Sequence, residues 1–444
     1  MTSLKKFFPT QLSLNMLSGS ISMGLGLIVS AIKYPLYIHF LGYEHYGSWL
    51  LLSTILTFAQ MGLLGITPAI IKLVAEERGR GDNEAIQEYF VTSICVLIAI
   101  CIAILGLVVL FKWQIVVMMG LEGGNAELVA SLMIYMVVFS MGALAYQVLN
   151  SVIGGVGRLD IANYSQTALQ VAPLILSVPL LLMGKGVISL LLANVFAYLF
   201  MFVINYVKLR SMIKVDIFKI SSFSWKRLRA MFSFGFNIFS GSMLNVMVLP
   251  IAKIVITRSI GVEGVPVIEL AYRAGMQIRG VFEVAFRALM PEVSKLSSEG
   301  SRNSFLEMKK VVSKAYLLLF FGAIPLYAVI FLMAEGLFKV WLGGDYIPSI
   351  PNSFRVMLLA TFISLVGVIP YYICMGLGKV GRLLVHHIAV AGGTLVSLGV
   401  VLFVGSGVDV VSVAWCFVPG AFLGTVYLFV FQMKTKYNFL CEQA

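Results

Sequence analysis

The 444 residues are 60% hydrophobic and only 12% charged, with a mean hydropathy of +0.97. That is about half the charge of an ordinary soluble domain, and it excludes a water-soluble globule. The formal charge of +12 invites a nucleic-acid reading, but the placement of the basic residues along the apolar runs gives it another cause.

A bilayer core about 30 Å thick needs roughly 20 apolar residues per helical crossing. Runs of that length predict twelve spans. In the first half they cover 12–41, 46–75, 87–111, 127–152, 160–183 and 187–208. The second half reads 229–257, 264–293, 308–333, 352–375, 380–404 and 409–433. The runs are continuous rather than alternating, which disfavours a β-barrel. The expected class is therefore an all-α integral membrane protein of two pseudo-symmetric six-helix bundles, 1–208 and 229–444, joined by a basic linker at 209–228. The apolar stretch after Lys5 and Lys6 is too long for a signal-peptide core and reads as an uncleaved first helix. Cys95, Cys101, Cys374, Cys416 and Cys441 are odd in number and show no metal-ligand spacing, so free thiols and no metal are expected.

Placing the N-terminus in the cytoplasm puts most Lys and Arg on cytoplasmic segments or at the cytoplasmic ends of spans and 4 outside, Lys112, Lys185, Arg258 and Lys339. This satisfies the positive-inside rule, puts both termini in the cytoplasm, and accounts for the net charge without nucleic acid. The linker carries Lys208, Arg210, Lys214, Lys219, Lys226, Arg227 and Arg229, and reads as a topology anchor on anionic headgroups.

The chain repeats at half its length. Asn15 and Gly19 recur as Asn237 and Gly241, an offset of 222. Val156-Gly157-Arg158-Leu159 returns as Val380-Gly381-Arg382-Leu383, Gly184-x-Gly186-Val187 as Gly405-x-Gly407-Val408, and Pro68 as Pro291. Six spans per repeat give both halves the same orientation, a plan that usually binds cargo between the halves. Lys33 and Lys253, each in the outer part of the first helix of a repeat, are expected to face each other there.

Ionisable residues at bilayer depth are costly and face protein or water. On the eighth span Glu269, Arg273, Arg279, Glu283 and Arg287 fall within an arc of about 120° at 100° per residue. Their i,i+4 spacing also fits internal ion pairs, so both anion contact and structural pairing stay open. With Lys33, Lys253 and Arg355 the set is net +4, which needs either a hydrated cavity or an anionic guest. Glu269 and Glu283 are also candidates for ion coupling, although carboxylates flanked by arginines should stay ionised. Lys72 reads as snorkelling near a helix end. Prolines and glycines within spans, Gly24, Gly26, Pro35, Pro68, Pro173, Pro179, Pro250, Pro325 and Pro370 among them, permit bending. Asn15, Gln60, Asn194, Asn237, Asn245 and Gln277 either line a polar lumen or bridge helices. The histidines, His39, His45, His386 and His387, form no ligand pattern beyond an adjacent pair. With no GxxxxGK[ST] loop, transport would draw on the membrane potential or a proton or sodium gradient rather than on a bound cofactor.

Three segments carry a resemblance: Leu41-Gly42-Tyr43-Glu44-His45-Tyr46-Gly47-Ser48-Trp49, Ala75-Glu76-Glu77-Arg78-Gly79-Arg80-Gly81-Asp82, and Arg287-Ala288-Leu289-Met290-Pro291. In this order, within a twelve-helix plan, they resemble Wzx-type O-antigen flippases of the multidrug/oligosaccharidyl-lipid/polysaccharide exporter superfamily. The resemblance implies a non-enzymatic alternating-access flippase of the bacterial inner membrane that moves undecaprenyl-diphosphate-linked oligosaccharide among membrane lipids. It implies partnership with the polymerase and ligase of the same pathway. By position it assigns Lys33, Lys253, Arg273, Arg279 and Arg287 to the diphosphate or acidic sugars, with Arg355 as a further candidate. Two alternatives remain: a drug or cation antiporter of the same fold, against which Lys33 in the first helix argues, and a membrane polymerase, for which the outer loops are short and poor in catalytic groups.

Overall fold

The computed structural model describes residues 11–61, 65–213, 215–299, 302–404 and 407–441, and all regular structure among them is helical. The order is α1 (Gln11–Met61), α2 (Ile66–Arg80), α3 (Asn83–Met119), α4 (Gly123–Gly155), α5 (Leu159–Leu182), α6 (Val187–Ile213), α7 (Trp225–Ser259), α8 (Val265–Arg287), α9 (Leu289–Glu299), α10 (Arg302–Leu318), α11 (Ile324–Leu342), α12 (Ser349–Gly376), α13 (Val380–Val404), α14 (Val410–Trp415) and α15 (Phe417–Cys441). Helices prevail because a chain this apolar must satisfy its backbone N–H and C=O groups within each segment. Lys5, Lys6, Lys214 and Gly405 lie outside the described residues.

Nine helical stretches among the described residues are long and apolar enough to cross a membrane, and the chain is a multi-pass integral membrane protein. One stretch, Leu17–Met61, covers most of the first expected span and the first part of the second. The helix turns at Gly42, whose φ of 68° lies where only glycine is unstrained. Gly261, with φ 122°, closes α7 at the matching point of the second half. The remaining expected spans correspond to α7 and to α8, whose charged face lowers its apolarity.

The last part of the second expected span is α2, and the eighth, continuous in sequence, divides at Ala288 into α8 and α9. Pro68 and Pro291, matched by the repeat, are each the third residue of the helix concerned, α2 and α9. In the first turn the missing proline N–H has no intrahelical partner to lose, so proline suits a helix start. The ninth span passes through a π-helical turn, Leu319–Ala323, just before Pro325 at the start of α11.

The chain forms two compact units, Met1–Ser240 and Gly241–Ala444. The boundary falls inside α7, later than the 208–229 junction expected from composition, because the linker and the start of α7 pack on the first unit. Gln87 exchanges two hydrogen bonds with the Asp216 backbone, donating at 2.6 Å and accepting at 2.8 Å. The Ser224 N–H donates to Thr92 Oγ1 at 3.0 Å, and Arg227 donates to Glu88 at 2.8 Å and Glu77 at 3.0 Å. Met231 enters the apolar core of α2, α3 and α4. Gly235 then meets Gly65 backbone to backbone, and a Cβ on Gly235 would lie 2.6 Å from the Gly65 carbonyl oxygen. In the second unit α12 packs along α8 and α15, and α13 lies against α15.

Candidate functional site

The charged face of α8 divides into two groups with different physics. Toward its N-terminal end, Glu269 is 1% exposed and forms a 2.7 Å ion pair with Lys253 of α7, itself 4% exposed. Arg273, one turn along α8, pairs with the other Glu269 oxygen, while its own side chain is 54% exposed. A carboxylate buried this deeply needs such partners, because each unpaired charge at that depth costs several kcal/mol. Lys253 is thus committed to Glu269, and Arg273 is the member of the trio with exposed surface.

Further along, Arg279, Glu283 and Arg287 line a cavity of about 340 Å³ together with Tyr371 and Tyr372 of α12 and His386 and His387 of α13. An adjoining cavity of about 280 Å³ shares Arg279, His386 and His387 and adds Asn245 of α7 and Tyr272 of α8. Arg279 is poorly satisfied. Its Nη2 lies 3.4 Å from Glu283 and its Nη1 3.9 Å from the Met276 sulfur. Its buried Nε has no hydrogen-bond partner among the described residues. The Tyr372 hydroxyl donates to Glu283 at 3.3 Å, drawing on the same carboxylate. Orphaned guanidinium donors in an enclosed space are costly unless an acceptor enters.

The histidines are set by packing. Gly393, Gly420 and Gly424 let α13 and α15 approach closely, since a Cβ on Gly393 would lie 2.8 Å from the Gly420 Cα. That approach brings His386 Nδ1 to 3.0 Å from the Gly424 carbonyl. His387 Nδ1 lies 2.6 Å from the Asn245 amide nitrogen, and its Nε2 is 3.5 Å from the Tyr371 hydroxyl. With neutral imidazoles the first cavity holds two cations and one anion, net +1. The arrangement can bind an acidic group while offering hydroxyl and imidazole partners to a polyhydroxylated one.

The other expected residues lie elsewhere. Lys33 is half-buried in the first unit, with its ammonium 5.2 Å from the Tyr34 ring centroid. Arg355 donates to the Phe331 carbonyl at 3.2 Å and to Asn352 at 3.3 Å, and it borders a separate apolar groove between α11 and α12. Lys72 forms an exposed 3.6 Å pair with Glu76. Asn15 accepts from the Asp160 N–H at 2.9 Å and Asn194 bonds back to the Leu190 carbonyl, so both serve helix structure. The side chain of Asn237 lies outside the described residues. Among the described residues no three His, Cys, Asp or Glu side chains converge to hold a metal.

Sequence reasoning passed over Tyr371, Tyr372, His386 and His387. The only available signal was an adjacent imidazole pair early in an apolar span, close to the small Gly392-Gly393 step.

Comparison with known proteins adds three findings. A family model described as polysaccharide biosynthesis protein matches residues 12–297. A Shigella flexneri protein named as a candidate O-antigen transporter is 23% identical over 158 residues, which span 35% of this chain and 36% of the relative. Solved structures of similar fold include an inward-facing multidrug resistance transporter of the MATE family (TM-score 0.73, 16% identity, 98% of this chain and 99% of that one). The lipid II flippase MurJ in an inward closed conformation is also similar (TM-score 0.74, 16% identity, 96% and 89%). A superfamily transporter from Pyrococcus furiosus with a binding pocket of reversed polarity aligns at TM-score 0.64, 16% identity, over 96% of both chains.

Proposed function

The chain belongs to the polysaccharide biosynthesis protein family, and from that membership we propose that it is a flippase for undecaprenyl-diphosphate-linked oligosaccharide. It carries an O-antigen or related repeat unit from the cytoplasmic to the outer leaflet of a bacterial inner membrane, with both termini in the cytoplasm. Polymerase and ligase of the same pathway would receive the product. The observation that carries the reading is Arg279, whose buried Nε lacks an acceptor among the described residues, in a cavity that Arg287 also lines. A diphosphate supplies acceptor oxygens in the geometry a guanidinium fork requires.

In this mechanism the diphosphate head and glycan enter from the cytoplasm while the polyprenyl tail stays in lipid, and the halves then rock to expose the cargo outward. Arg279 and Arg287 hold the acidic head, Arg273 adds an exposed cation, and Lys253 acts through Glu269 by fixing the trio's geometry. Lys33 provides the counterpart in the first half. The work comes from the potential or an ion gradient.

The test is reconstitution into proteoliposomes with labelled lipid-linked oligosaccharide. Translocation should fall at least about tenfold in Arg279→Gln, the loss of one charge-assisted contact, with smaller losses in Arg273→Ala and Lys253→Ala. Wild-type vesicles that leave the substrate in its original leaflet would refute the function, and equal rates in all variants would refute the site.

A further inference from the structure

His386 is held in one tautomer. A carbonyl oxygen can only accept, so the 3.0 Å contact to Gly424 requires the proton on Nδ1 and leaves Nε2 as the lone-pair nitrogen. His387 differs. The Asn245 amide nitrogen donates to its Nδ1 at 2.6 Å, which places its proton on Nε2 toward the Tyr371 hydroxyl. Protonating His387 would set a donor against a donor at Asn245, whereas protonating His386 at Nε2 breaks no existing contact. The two imidazoles are therefore unequal, and His386 is the one built to take a proton.

The groups around it fix the consequence. From α8 come Arg279, Glu283 and Arg287, from α12 Tyr371 and Tyr372, and from α7 the uncharged Asn245. From α15 comes the Gly424 carbonyl, and within α13 itself His387, with Arg382 a turn earlier stacked 4.2 Å over the Phe431 ring. A proton on His386 raises the cavity charge from +1 to +2 beside Arg279, whose Nε has no acceptor among the described residues. Such a charge is disfavoured in an empty cavity and favoured in one that holds an anion.

We infer that His386 is a proton-binding site linked to anion binding at Arg279, so that the cavity takes up a proton with a phosphorylated guest and releases both together. The inference rests on the reading that this cavity receives an acidic head group. By linkage, whatever factor the proton contributes to anion affinity, the anion contributes to proton affinity.

The test uses the full chain in nanodiscs with inorganic pyrophosphate, titrated calorimetrically at about pH 5.5 and about pH 8, on either side of the ordinary imidazole pKa of about 6.5. The comparison is His386→Asn, whose amide nitrogen can still donate to Gly424. Pyrophosphate titrates equally for both proteins, so its contribution cancels in their ratio. The affinity gain on acidification should be at least about fivefold larger in wild type than in the variant, and equal gains would overturn the inference. Should His386→Asn fail to fold, sulfate binding to the wild type near pH 6.5 in buffers of different ionisation enthalpy decides it. Uptake of a substantial fraction of a proton supports the site, and none refutes it. Translocation assays separate the two readings. Proton-linked binding without flipping sinks the function alone, and flipping without the linkage sinks this inference alone.

Discussion

Lys253 and Glu269, on the consecutive helices α7 and α8, share a 2.7 Å ion pair that is almost wholly buried. Because Arg273 holds the second carboxylate oxygen, removing the two partners has unequal cost. Lys253→Met leaves Glu269 with a cation still in place. Glu269→Gln leaves Lys253 buried without the carboxylate it is paired with. The expected result is that Glu269→Gln destabilises the protein by about 3–5 kcal/mol and Lys253→Met by clearly less, measured by thermal or denaturant unfolding in detergent. Equal losses would mean that Arg273 contributes nothing to the trio.

Arg227 bridges two carboxylates with separate nitrogens, Nε to Glu88 and Nη1 to Glu77, and so ties α7 to α2 and α3. A lysine presents one ammonium and cannot reproduce that fork. Arg227→Ala should cost about 3 kcal/mol, and Arg227→Lys should recover less than half of it. A double-mutant cycle with Glu88→Gln should return a coupling of about 1 kcal/mol or more. A coupling near zero would show that the start of α7 is held by Met231 and Gly235 packing alone.

The sequence made the helices and the polar face of α8 legible for a common reason: both are periodic in one local stretch of chain. Hydropathy marks a crossing and i,i+4 spacing marks a face, so Arg279 and Glu283 could be placed side by side before any coordinates. Gly42 was legible too, since it separates two apolar runs. The division at Ala288 was not, because an interrupted helix stays apolar across its interruption. Nor was the commitment of Lys253 to Glu269, which depends on how α7 lies against α8. The histidine arrangement was least accessible. It needs Gly424 on α15 to admit an imidazole and Asn245 on α7 to meet the next one, and no single segment carries that information. The linker misled in the opposite sense. Its charge pointed only to an anchor on anionic headgroups, whereas the Gln87–Asp216 and Arg227 contacts also bind it to the first unit.

The proposed export should respond to voltage with a definite sign. A diphosphate carrying about two negative charges gains roughly 4.6 kcal/mol per 100 mV on leaving a negative interior, if it crosses the whole field alone. A proton carried on His386 would cancel one of those charges and halve the gain. In proteoliposomes with an imposed potassium diffusion potential, outward flipping should accelerate when the cytoplasmic face is negative and slow when the polarity is reversed. The wild-type dependence should be shallower at about pH 5.5, where more of the cargo-loaded protein carries the proton, than at about pH 8. His386→Asn should show the steeper dependence at both. A rate indifferent to potential in every case would mean that the head group travels with its charge fully compensated, and the cationic cavity would then serve selectivity rather than drive.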